Sequence, residues 1–155
     1  MQFTDKIQQK FKEAGWRSHR DVSSKYNTTK KIDEFPQFLK DFLFEYGELT
    51  VSEVKKYESD ITNKLIINPN LAEYKDDSLY AFYKTLFGKD IYPFANFEPD
   101  GYRIGCDADG KVYMLGDYYF IIGDTFQKGI ENLITDNWNE SFEFDEETKE
   151  WISKN

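Results

Sequence analysis

The chain has 155 residues with 14 Phe, 11 Tyr and 3 Trp, the size of one domain and too aromatic for a disordered polymer. Its formal net charge of −9 is unevenly placed: residues 1–40 hold nine Lys/Arg against five Asp/Glu, a surplus of +4, which leaves −13 on the remainder. Such a field repels nucleic acid and anionic membranes and attracts basic partners, so nucleic-acid and membrane-surface roles fall away despite the basic pairs Lys30-Lys31 and Arg17/Arg20.

Asp5, Lys6, Lys10 and Lys12 interrupt every apolar run near the start, against a secretory leader. No apolar run approaches the roughly 18 residues of a membrane span. The single Cys106 has no partner for an intramolecular disulfide. Together these features lead to the expectation of a protein of the reducing cytoplasm.

In chain order, Phe3, Ile7, Phe11 and Ala14 recur at helical spacing with Gly15 behind them, which predicts a helix over 2–14. The polar stretch from Trp16 to Thr29 predicts a loop with a short strand at Val22–Tyr26. Phe35, Phe38, Leu39, Phe42, Leu43 and Tyr46 trace one apolar face and predict a helix over 35–46, capped by Asp33, with Pro36 in its first turn and Gly47 at its end. Leu49–Val51 and Leu65–Ile67 predict short strands, the second stopped by Asn68-Pro69. Leu79, Phe82, Tyr83 and Leu86 predict a helix over 76–87, ended by Gly88.

Beyond Gly88 the texture turns to β. Pro93 makes Ile91–Phe94 an extended piece or edge strand. Tyr102–Cys106 and Lys111–Leu115 flank Asp109-Gly110, a hairpin signal, and Tyr118–Ile122 follow Gly116-Asp117. Asp124 or Thr125 caps a helix over 125–135 with Phe126, Ile130, Leu133 and Ile134 on its face. From Glu131 onward eight acids stand against Lys149 and Lys154, with Phe142, Phe144 and Trp151 interspersed. The tail reads as an acidic C-terminal extension from about residue 136 on a single domain spanning 1–155. Leading helices, a β-meander built mainly from 91–122 and a closing helix predict an α+β fold with helices flanking an antiparallel sheet.

Asp107-Ala108-Asp109-Gly110 is the most enzyme-like string. It resembles the nucleophile string of haloacid dehalogenase-like phosphatases, which need an aspartyl nucleophile, a second Asp and Mg²⁺. Lys111 stands where that family has Thr or Val, and 45 residues after Gly110 are too few for the rest of its doubly wound fold. A calcium loop fails because Val112 occupies the position that needs glycine. The simpler reading is a turn, in which Asp tolerates an unusual backbone angle and Gly110 supplies positive φ. On that reading Gly110→Val costs about 1 kcal/mol or more and Asp107→Asn is nearly neutral.

Nothing in the spacing makes Cys106 and His19 a nucleophile–base pair. No Cys or His ligands stand at zinc spacing, and no phosphate-binding loop exists. No catalytic residue, metal or cofactor is therefore expected.

Five segments share a pattern in the right order. Ala14-Gly15-Trp16-Arg17-Ser18-His19-Arg20 resembles an "aGWxxgR" opening, and the run from Phe38 to Leu49 resembles an "fLxxyGgL" helix end. Gly88 to Phe94 resembles "lG…lyPiG", Asp107 to Tyr113 matches "iDexGrvy", and Ile122 to Phe126 matches "lGdsf". These segments resemble the SUKH superfamily, in the branch with the GWxxxR-like opening, over roughly residues 10–135. Glu48 replaces the second glycine of its motif, and Ala95 replaces another.

The resemblance implies a cytoplasmic immunity protein of bacteria that deploy polymorphic toxins, which binds a cognate toxin domain and blocks it. Such toxins are often nucleases, whose phosphate-binding faces are basic, and an acidic partner is steered onto such a face. The candidate partner-binding residues are Asp100, Asp107, Asp109, Asp117 and Asp124, with Tyr102, Tyr118 and Tyr119 as aromatic anchors. Two other readings stay open: a general adaptor module of the same fold, and a metal-dependent phosphohydrolase using Asp107 and Asp109.

Overall fold

A computed structural model describes residues 3–27, 31–52 and 62–154. Thr28, Thr29, Lys30 and the start of the first predicted helix lie outside the described residues. The described residues form one sheet of eight strands: β1 (Thr50–Ser52), β2 (Lys64–Ile66), β3 (Tyr92–Glu98), β4 (Tyr102–Cys106), β5 (Val112–Leu115), β6 (Tyr119–Gly123), β7 (Phe142–Asp145) and β8 (Glu150–Ser153). Each strand is antiparallel to the next, and their spatial order is their order in the chain.

Helices α1 (Asp5–Glu13), α2 (Gln37–Tyr46) and α5 (Phe126–Thr135) share a core with one face of this sheet. The short α3 (Pro69–Ala72) leads into α4 (Asp77–Phe87), which packs on the opposite face. Strand β5 shows the arrangement most clearly. Val112 and Met114 join the core of α1, α2 and α5, while Tyr113 and Leu115 join that of α4. All four are buried, so this strand shows no polar alternation. The fold is α+β, with helices flanking an antiparallel meander, as the pattern of elements predicts.

The four long helices match the sequence reading to within a few residues, but three local expectations change. Ser23–Tyr26 is a 3₁₀ turn, not a strand, because Asp21 accepts from Ser23 N–H at 2.9 Å and Val22 N–H is taken by the Phe44 carbonyl. Asp33 does not cap α2. It lies in a separate turn, Ile32–Glu34, because Phe35 precedes a proline and is held extended at φ −69°, ψ 146°. Strand β3 is interior rather than an edge. Pro93 is accommodated beside a bulge between Pro93 and Ala95, and β2 reaches only Asn96–Glu98, so no ladder bond is lost on that side.

The junction of α2 and β1 shows what the Gly-Gly position of the motif requires. A Cβ on Gly47 would overlap the Tyr26 hydroxyl and the Leu43 carbonyl. Glu48, where the motif has its second glycine, sits at φ 69°, and its N–H donates to the Ile67 carbonyl at 2.6 Å. His19, at the glycine of the opening motif, sits at φ 65°. Both non-glycine residues keep a left-handed backbone that glycine adopts at lower cost.

Candidate partner-binding face

The hairpin between β4 and β5 is organised by Asp107, which is 1% exposed. One carboxylate oxygen, Oδ1, accepts from the N–H of Asp109 at 2.9 Å and of Lys111 at 3.0 Å. The other, Oδ2, accepts from the Tyr113 hydroxyl at 2.9 Å and lies 3.5 Å from Lys89 Nζ, which also sits 3.3 Å from Asp109. Gly110 takes φ 97° and donates to the Asp107 carbonyl, while Asp109 is not left-handed, so glycine alone supplies the unusual angle. The Asp107 charge raises the Lys89 amine above its ordinary range. Burial first, and Asp107 second, push the Tyr113 hydroxyl well up. The Asp107 carboxylate is thus saturated inside the fold and does not stand on the surface, where its place among the partner-binding candidates requires it.

Cys106 is enclosed next to it, its thiol pushed up by burial, whereas His19 is exposed; no hydrogen bond joins the two. Among the described residues no group of three His, Cys, Asp or Glu gathers as a metal site.

A concave surface of about 630 Å³ opens between the β5–β6 turn and the β7–β8 hairpin. The turn supplies Asp117, Tyr118 and Tyr119, and is closed by the Gly116 N–H donating to the Tyr118 carbonyl at 3.1 Å. The hairpin supplies Glu143, Asp145, Glu146, Glu147 and Ile152. Glu143 and Ile152 are cross-strand partners, and therefore share a face. Asp145 accepts from the N–H groups of Glu147 at 2.9 Å and Thr148 at 3.2 Å, which folds the hairpin turn. Tyr118 is 62% exposed and Ile152 50% exposed. Five carboxylates border these apolar groups against one ammonium, Lys154, which lies 3.5 Å from Glu143. Tyr119 is half-buried and packs edge-on against Phe87 at 5.6 Å, so it belongs to the floor.

The other sequence candidates distribute around this surface. Asp124 lines a second concavity of about 440 Å³ with Ile121, Glu140, Phe142, Trp151 and Lys111. Tyr102 leans on Phe120 at 6.2 Å, and burial raises its hydroxyl, with Asp117 and Asp100 adding to the shift. Asp100 is exposed in the β3–β4 turn, and Asp109 is exposed but paired with Lys89. The structure therefore gathers Asp117, Tyr118 and Tyr119 in one groove, with Asp124 in the next. Ile152 and Phe142 were absent from the sequence candidates. Phe142 lies on the same face as the buried Phe144 but is 39% exposed at the start of β7, and Ile152 points away from the face of Trp151, so alternation in the sequence signals only the second.

The opening motif does other work. Trp16 lies parallel to Tyr46, with centroids 6.0 Å apart and planes 9° apart, and its indole N–H reaches Glu45 at 3.4 Å. The Arg20 guanidinium donates to the Glu45 carbonyl at 2.6 Å, at the C-terminal end of α2 where a cation is favoured. Trp16 and Arg20 therefore fasten the first loop to α2.

A family model described as SUKH-3 immunity protein matches residues 3–136. The chain belongs to the SUKH-3 immunity protein family. No curated protein and no solved structure matches it. In this SUKH-3 chain the motif residues Trp16, Arg20, Gly47, Asp107 and Gly110 hold turns and helix ends together. The β7–β8 hairpin and the acidic groove it borders reach beyond the matched segment. No helix among the described residues is long and apolar enough to cross a membrane.

Proposed function

We propose that this SUKH-3 protein acts in the bacterial cytoplasm, where it binds a cognate polymorphic toxin with a basic nuclease domain and blocks it by covering the face that holds phosphate. The observation that carries this reading, given the family, is the groove that joins Asp117, Glu143, Asp145, Glu146 and Glu147 to the exposed Tyr118 and Ile152. The carboxylates speed encounter with a basic surface. Exposed charges alone add little affinity, so Tyr118 and Ile152 act as the anchors that hold the complex.

The Asp107 and Asp109 phosphohydrolase reading loses its support, because Asp107 already has four donors and Asp109 is paired with Lys89. Mixing the purified protein with the inactivated toxin domain encoded beside it tests the proposal. The expected result is a 1:1 complex by light scattering. Two independent species at micromolar concentration would leave the adaptor reading in its place.

A further inference from the structure

The family match ends at residue 136, yet the sheet continues for two more strands. These strands are not a loose tail. Phe144 and Trp151 pack on Phe87 of α4 at 5.2 and 5.3 Å, and Glu143 is in register with Phe120 of β6. The hairpin is thus held rigidly, which reduces the ordering cost of binding through it. Its outer parts are unlike an ordinary solvated edge. Phe142 and Ile152 are among the few large apolar side chains left exposed, and a concavity opens beside each. The hairpin region from Glu140 to Glu150 also holds six acids against Lys149 alone. No strand lies beyond β8 among the described residues.

We infer that the β7–β8 hairpin is the specificity-determining element of this protein, and that it selects a partner surface on which an apolar side chain is bordered by lysines and arginines. The inference rests on the toxin-binding reading. The apolar side chain sits against Ile152 and Tyr118, and the basic ones face Glu143, Glu146 and Glu147. Charge sets the class of partner, because an acidic partner would place like charges together at a cost no apolar contact of this size offsets. The SUKH-3 core, fastened by its motif residues, serves as the scaffold for this edge.

The experiment uses the full chain and the inactivated neighbouring toxin domain as probe. Affinity is measured for wild type, Ile152→Glu, the double variant Glu146→Lys/Glu147→Lys, and a control, Asp41→Lys, at an exposed acid on α2 that lines neither concavity. Thermal melts of each variant report folding. The expected result is at least a tenfold loss of affinity for both hairpin variants with melting temperatures near wild type, and a change under threefold for Asp41→Lys. Wild-type binding with hairpin variants within twofold of it would overturn the hairpin's role and leave the toxin reading standing. Failure of wild type itself to bind would take down both.

Discussion

The Tyr113 hydroxyl donates to Asp107 Oδ2 at 2.9 Å with both residues buried, one on β5 and the other at the end of β4. The bond closes the β4–β5 hairpin across its base and consumes a carboxylate that the sequence presents as a surface acid. Asp107→Asn replaces one acceptor oxygen by an amide that cannot accept from Tyr113 or Lys89. The cost is about 1–3 kcal/mol, read from the urea midpoint, in contrast to the neutral exchange a free turn allows. Tyr113→Phe removes the same donor and is expected to be less than additive with Asp107→Asn in a double-mutant cycle.

Left-handed backbone at His19 and Glu48 gives a prediction of opposite sign. Glycine at either position relieves the Cβ strain, so His19→Gly and Glu48→Gly each stabilise the fold by roughly 0.5–1 kcal/mol. Gly47→Ala is destabilising by about 2 kcal/mol or more, because the added methyl meets the Tyr26 hydroxyl and the Leu43 backbone. Chemical denaturation of the three single variants separates the two effects.

Much of this fold was legible in the sequence. Apolar spacing located α2 and α5 because their buried faces are continuous, and Gly88 marked the end of α4 with a left-handed cap. The β7–β8 hairpin was not legible as sheet: its strands are four residues each, and the surrounding segment is dominated by acids. The site was half legible. Asp117 and Tyr118 stand out as a turn beside a strand, but their neighbours Glu143 and Ile152 are brought to them by strand pairing that no local pattern encodes. Asp107 misled because burial is a property of the assembled hairpin, not of the Asp-Ala-Asp-Gly string.

Buried tyrosines set an alkaline limit on stability. Burial pushes the hydroxyls of Tyr46 and Tyr80 up to about 12, and those of Tyr26 and Tyr74 higher still. Unfolded tyrosine ionises near pH 10. The stability these groups contribute is therefore fully present below about pH 10 and is lost as pH rises through 10–12, where the unfolded chain releases protons first. The urea midpoint is expected to hold between pH 7 and 9 and to fall steeply at pH 11. A midpoint that is flat to pH 11 would contradict this burial.

Charge and anchor residues separate in the kinetics of complex formation. Reversing Asp117 and Asp124 to Lys together slows association severalfold, and the difference shrinks above about 0.1 M salt as screening sets in. Tyr118→Ala leaves association near wild type and speeds dissociation by at least tenfold. Surface-coupled binding traces at two salt concentrations resolve both effects.

Survival of cells measures the central claim most directly. The active toxin domain encoded beside this gene is expressed under tight control, with and without the SUKH-3 protein, and with the Tyr118→Ala/Ile152→Glu double variant. The account predicts growth with wild type, and death both without it and with the folded variant. Equal death in the presence and absence of the wild-type protein, at matched expression, would contradict it.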